Sequence, residues 1–353
     1  MRYTDTKFSD AQKLLLRATA SKDPKLGPEA RAQMAEAMAG PVRKGLDLRA
    51  TVRSIFTQMT IDEGETVIPL DTWWNQDTTM LRSWVQPKLG HYPVNVIDGA
   101  EELYVPTFEI MSNVEWRTKW ARYGRFDVVA GATKRMVEEV ATQEEYSGWS
   151  MLLRATASLP ATQLKNYSGT TFRINEANTM LTAAARVLET PDGLTVTTPG
   201  AITNLFLSPE RMSDIRGWTY TAIGTADSGN PLPLDEATRR EIFQGAGLAS
   251  IWGMVITQLN ELGNSKLYNT LFASMHASYQ SFAKTFTDAS DELVLGLDLR
   301  DDMAFVMVIR EPFTTEDDPS TLRQGKQTVV GREDIGFAIP DERRIIGLMM
   351  GVA

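Results

Sequence analysis

One stretch constrains the fold of this chain more than any other. Over residues 127–157 (DVVAGATKRMVEEVATQEEYSGWSMLLRATA) the apolar positions recur at helical spacing. Val129, Ala130, Thr133, Met136, Val137, Val140 and Ala141 make one stripe, which resumes at Met151, Leu152 and Ala155. Lys134, Arg135, Glu138, Glu139, Gln143 and Glu145 lie on the opposite side. Asp127 suits the N-cap, and Gly148 offers a place for a kink. At 1.5 Å per residue the stretch predicts a rod of about 46 Å, longer than a compact domain needs. The chain that carries it should be an elongated subunit.

Residues 1–60 read as an appendage to that rod. Two short helical patterns, 9–20 and 29–39, are separated by SKDPKLGP, and the second is expected to stop at Gly40-Pro41. Neither is long enough to persist alone in water, so the segment must lie against something. It holds eleven bases and six acids, a charge of +5, in a chain whose net charge is −9; residues 61–353 therefore carry −14. The bases are diluted by Ala, Leu and acids instead of clustered as in a nucleic-acid-binding tail. A basic arm on an acidic neighbouring subunit fits better, with Arg43 and Lys44 as candidate intersubunit contacts.

Residues 50–70 read as β-rich, Ile55, Phe56, Val67 and Ile68 flanking an Asp-Glu-Gly-Glu turn. Residues 71–102 fit neither a core helix nor a strand, yet contain Trp73, Trp74, Trp84 and Tyr92. Loops lie at the surface, and aromatic residues exposed on one mark contact with another molecule, so these four are candidate intersubunit contacts. Beyond them comes a strand pattern through Val105, Phe108, Ile110 and Val114, then the rod, then a second helix over 175–189. The remainder is strand-rich: 202–207, running into a Ser208-Pro209 helix start, then a helix over 236–244 and strands at 251–257, 293–297, 304–309, 328–331, 336–339 and 344–350. The class is α+β.

Several chemistries are excluded by what is missing. With no cysteine there are no disulfides, thiolate zinc sites or cysteine nucleophiles, and His91 and His276 are too few for a histidine-rich metal site. No nucleotide-cradling, zinc-hydrolase or nucleophile-elbow motif occurs, so no catalytic residue, metal or cofactor is expected. Acids gather at Asp298, Asp301 and Asp302 and at Glu316, Asp317 and Asp318, where a solvated face is the expectation. A carboxylate-dependent hydrolase would need the two groups to converge. The longest apolar run, 303–309, falls far short of the ~20 residues of a membrane span, and MRYTDTKFSD lacks the apolar core of a secretory leader.

The order of elements, together with EELYVPTFEIMSNVEW (101–116), the rod and its approach (121–149), NLFLSPERMSDIRGW (204–218) and GRED…FAIP (331–340), resembles the major capsid proteins of tailed bacteriophages with the Hong Kong 97-like fold. The resemblance implies an N-terminal arm (1–65), an extended loop (66–104), a peripheral domain (105–200 and 318–338) built on the spine helix, and an axial domain (201–317 and 339–353). It implies a non-enzymatic coat protein of the virion, assembled in the host cytoplasm, whose main partner is itself, as hexamers and pentamers. Scaffold, portal and decoration proteins would be further partners, and the shell would enclose double-stranded DNA without reading its sequence. An encapsulin-like nanocompartment shell shares the fold and is the alternative. Closed shells need heterologous contacts that close, which a reaching arm and loop supply.

Overall fold

A computed structural model describes residues 10–21, 23, 25–49, 51–61, 67–69, 102–123, 126–187, 200–217, 249–279 and 285–352. In chain order these form α1 (Asp10–Thr19), α2 (Leu26–Arg49), α3 (Val52–Ile55), β1 (Thr57–Thr60), β2 (Val67–Pro69), β3 (Glu102–Tyr104) and β4 (Phe108–Arg117). There follow α4 (Thr118–Arg122), α5 (Phe126–Ser158), β5 (Leu164–Tyr167), α6 (Ile174–Val187), β6 (Asn204–Leu207) and α7 (Pro209–Gly217). The chain closes with β7 (Ala249–Ile251), β8 (Met254–Gln258), an unlabelled helix Leu267–His276, β9 (Asp291–Leu297), β10 (Val306–Asp318), β11 (Lys326–Ala338) and β12 (Ile345–Gly351). The expected helix over 236–244 lies outside the described residues.

The expected rod is α5, 33 residues and about 50 Å long. Its stripe is buried at Val129, Met136, Val137, Val140, Ala141, Leu152 and Ala155, while Ala130 is exposed. Asp127 lies within the first turn, not before it, because the helix begins at Phe126. The chain divides into two compact units, and α5 gives residues to each.

The first unit comprises Met1–Thr66, Val105–Gly148 and Val306–Ala338. Its four-stranded sheet runs β1-β10-β11-β4, with β1 parallel to β10 and the other pairs antiparallel. The inner face of this sheet meets α5: a Cβ on Gly331 would lie 2.3 Å from the Phe313 ring and 3.2 Å from the Met136 sulfur. Helix α2 packs closely on α5, where Gly45 lies against Val137 with no room for a side chain. Contrary to the expected stop at Gly40-Pro41, α2 continues to Arg49. Gly40 and Pro41 are on its exposed side, while Ala35, Met38, Val42 and Leu46 continue the buried face. Burial of that face outweighs the hydrogen bond that proline removes. The strands expected at 328–331 and 336–339 are one 13-residue strand, β11.

The second unit comprises Val67–Tyr104, Trp149–Phe305 and Ile339–Ala353. Its six-stranded sheet runs β5-β12-β9-β6-β8-β7. One face is covered by α6 and α7, whose Ala177, Met180, Ala184, Met212 and Ile215 pack with Leu205, Ile256, Val294, Ile346 and Leu348. On the other face Trp149, from α5, stacks on Tyr268 at 5.0 Å and meets Phe206 edge-on at 5.4 Å. Strand β9 is therefore buried along its whole length, which accounts for its continuous apolar run. Ser208 accepts the Arg211 backbone N–H at 3.2 Å and so caps α7 as its sequence predicts.

The strand expected over 251–257 is instead a hairpin, β7–β8. Its two-residue turn, Trp252-Gly253, has φ of 51° and 80°, the geometry that suits the twist of paired strands. A bulky residue with positive φ is strained, and this Trp hides a turn that Asn-Gly would have announced. Trp252→Asn is expected to stabilise the fold by on the order of 1 kcal/mol, read as a higher urea midpoint. An unchanged or lower midpoint would mean that the indole contributes more to the hairpin than the strained backbone costs.

Candidate functional site

For a chain lacking catalytic motifs, the functional features are its outward surfaces and the buried polar groups that hold them in shape. In the first unit the sheet's outer face carries Glu109, Met111, Asn113, Glu115 and Arg117 of β4, all exposed. Cross-strand pairs run along it: Lys326 to Glu115 at 2.7 Å, Arg332 to Glu109 and Glu316 at 3.9 and 3.6 Å, and Arg310 to Asp334 at 3.8 Å. These exposed pairs add little stability. Strand β4 is an edge of its sheet and exposes Phe108 and Met111.

The arm helices of this unit are seated on their own sheet. Arg31 pairs with Asp317 at 2.9 Å, Thr315 donates to the Ala35 carbonyl, and Arg43 donates to the Phe313 carbonyl at 2.7 Å. Gln327, buried in β11, accepts from Trp116 at 2.9 Å and donates to the Thr19 carbonyl at 2.9 Å, tying down the end of α1. For Arg31, the opposite charge expected from a neighbouring subunit is thus supplied by the arm's own unit. Arg43 and Lys44 are both exposed on α2, with Arg43 anchored as above.

A buried polar cluster of the unit, among the described residues, had no signal in the sequence. Arg53 of α3 donates twice to Glu144 of α5, at 2.9 Å each, and once to Glu333 of β11, at 2.8 Å. Glu144 and Glu333 are buried, at 0% and 2% relative exposure. Burial, then the charge and hydrogen bonding of Glu144, push the Glu333 carboxyl up to about 8, against the pull of Arg53. The neighbouring Glu145, expected on the solvated side of the rod, accepts from the Thr51 hydroxyl at 2.7 Å and the Val52 backbone N–H at 3.1 Å. Consecutive glutamates of the long helix therefore hold the start of α3.

In the second unit Arg211 is the hub. It donates to Glu292 at 2.8 Å, Asp214 at 3.0 Å, the Gly351 carbonyl at 3.0 Å and the Thr170 carbonyl, joining α7 to β9 and the chain's last strand. Burial pushes the Glu292 carboxyl up, although Ser208 and Arg211 pull the other way.

The acid groups found in the sequence are absorbed locally, one group in each unit. Asp298 is buried and takes Arg300 at 2.6 Å and Arg344 at 3.1 Å, and Arg344 also reaches Asp301 at 2.9 Å. Burial would raise the Asp298 carboxyl, but hydrogen bonds from the Arg300 side chain and backbone, with the charges of Arg300 and Arg344, leave it lowered. Asp302 is exposed. Asp317 is spoken for by Arg31, and Asp318 accepts the Ser320 backbone N–H at 2.9 Å, capping a short helical turn. The expectation of a merely solvated face thus fails at Asp298 and Asp317, which are built into ion pairs. Among the described residues no group of three or more His, Asp or Glu side chains could hold a metal ion, and no helix is long and apolar enough to cross a membrane.

Strands β2 and β3 pair antiparallel, Val67 opposite Tyr104 and Pro69 opposite Glu102, bringing together the two ends of the aromatic-bearing stretch. Trp73, Trp74, Trp84 and Tyr92 themselves lie outside the described residues.

The sequence matches no protein-family model and no curated protein. Solved structures are matched over most of their length. The capsid of an empty GTA particle is 11% identical, with 86% of this chain and 90% of that chain covered at a TM-score of 0.51. The capsid of Cyanophage P-SCSP1u is 14% identical over 85% and 87% of the two chains at 0.50. The head structure of Helicobacter pylori bacteriophage KHP40 is 9% identical over 86% and 91%, also at 0.50. The chain therefore has the Hong Kong 97-like fold of phage capsids.

Proposed function

We propose that the chain is the major capsid protein of a tailed bacteriophage, which assembles with copies of itself into an icosahedral shell around double-stranded DNA. The observation that carries this reading is a shared fold spanning 86% of the chain with the capsid of a GTA particle. What the buried polar groups do supports it: the acids are used in ion pairs and caps that shape the subunit. In the shell, residues 105–200 with 318–338 serve as the peripheral domain, 201–317 with 339–353 as the axial domain, 66–104 as the extended loop and 1–65 as the arm. The pairing of β10 with β11 favours counting residues 306–317 with the peripheral domain. Assembly takes place in the host cytoplasm.

Trp73, Trp74 and Trp84 are then anchors in contacts between copies. Alanine at any one of them should weaken association by about 2–4 kcal/mol, the range for interface hot spots, with an unchanged circular dichroism spectrum. Sedimentation velocity of the wild type should show capsomers or megadalton particles, and the variants should shift toward free subunits. Variants that are unfolded as monomers would make these tryptophans core residues. A wild type that stays monomeric under every assembly condition would remove the shell reading altogether.

A further inference from the structure

The Arg53–Glu144–Glu333 cluster has an uneven charge count: one guanidinium serves two buried carboxyl groups. Glu333 offers Oε1 to Arg53, while its buried Oε2 finds no hydrogen-bond partner among the described residues. Among the described residues the charged groups of the neighbouring elements are engaged elsewhere. On β4, Ile110 stands opposite Glu333, and Ser112 binds Glu139 of α5. On β10 the ladder is interrupted across from Glu333, between Glu311↔Asp334 and Thr314↔Arg332. There Arg310 and Glu311 are exposed, and Arg310 is drawn to Asp334. Glu145 of α5 is engaged by Thr51 and Val52. Two carboxylates beside one cation in a dry site cannot both be ionised without a large penalty, and a proton between them is the available remedy.

We propose that Glu333 keeps a proton at neutral pH, shared with Glu144, and that α3 is held on the long helix by a proton-dependent latch. The sign follows from linkage. Below about 4.5, the ordinary glutamate value, Glu333 is protonated whether the latch is closed or open, and the latch is at full strength. Between there and about 8, only the closed form keeps the proton, so opening becomes easier by about tenfold per pH unit. Above about 8 the closed form loses it as well, and the dependence levels off. The two carboxyl groups titrate as a pair, and the effect belongs to the pair. Because Arg53 sits where the arm helices join β1, the latch governs how firmly residues 51–61 are fixed to the rest of their unit.

The test uses full-length protein and does not depend on the shell reading. Amide hydrogen exchange in α3 and β1 is measured for wild type and Glu333→Gln across about pH 5 to 8, and the ratio of the two cancels the intrinsic pH dependence. The ratio should rise with pH by up to about tenfold per unit, while the same ratio for amides of β12, in the other unit, stays constant. Difference infrared spectra of the wild type should show a protonated-carboxyl C=O band that is lost near pH 8. The band should be absent from Glu333→Gln and shifted to lower pH in Glu144→Gln. Should Glu333→Gln not fold, the wild-type band and its shift in Glu144→Gln decide the matter. A ratio that ignores pH, or a wild type without the band, refutes the latch.

Discussion

Arg53→Met is expected to be among the most damaging single substitutions in this chain, at about 3–5 kcal/mol of unfolding free energy. Removing the guanidinium takes away its hydrogen bonds to both acids, at 2.8–2.9 Å, and leaves Glu144 and Glu333 buried without their cation. Most of that loss is the stranding of the acids, not the absence of a favourable pair, since a buried ion pair barely repays its desolvation. Replacing all three at once, with Arg53→Met, Glu144→Leu and Glu333→Leu, should therefore recover much of the stability lost by Arg53→Met alone. Urea unfolding reads both. A single substitution costing under about 0.5 kcal/mol, an ordinary surface value, would mean that water reaches the cluster.

Trp149→Ala should cost about 3–5 kcal/mol in the other unit, the range for deleting a large aromatic side chain from a core. Trp149 is 1% exposed and lies between Tyr268 and Phe206, so alanine leaves a cavity that two rings of different elements must close over. Trp149→Phe, which retains part of the stack, should lose clearly less. Thermal unfolding of the three proteins should rank wild type, Phe and Ala in that order. If Ala proves nearly neutral, α5 does not anchor this sheet.

The long helix is legible because its apolar stripe runs from Val129 to Ala141 and resumes at Met151, with no proline between. Central strands such as β9 were legible as short apolar runs, since both faces of their sheet are covered. Failures cluster where tertiary packing overrides local signals. Pro41 stops a helix by propensity, yet Met38, Val42 and Leu46 carry α2 past it on the buried side. Trp252-Gly253 makes a hairpin turn without a recognisable turn dipeptide. Strand β11 was divided in two because Arg332, Glu333 and Asp334 interrupt its apolar run; in the fold Arg332 and Asp334 belong to the outer face, and Glu333 is buried against Arg53. The pairing of Arg53 with Glu144 and Glu333 is not legible, because the three stand far apart in sequence and nothing local links them. Trp149, buried against Tyr268 and Phe206, gives no signal of its own in the sequence, since an aromatic in a long helix reads as ordinary core. The basic arm implies acidic partners on a neighbouring copy, yet Arg31 and Arg53 find theirs at Asp317, Glu144 and Glu333 of the same unit.

A subunit that builds a closed shell should reveal it in electron micrographs of the purified full-length protein, negatively stained under assembly conditions and with its scaffold where one is needed. Hollow particles of uniform diameter with five- and six-fold capsomers, or at least the rings from which they form, are the expected result. A field of small, solid particles the size of a single subunit or dimer, unchanged across salt, concentration and scaffold, would contradict it.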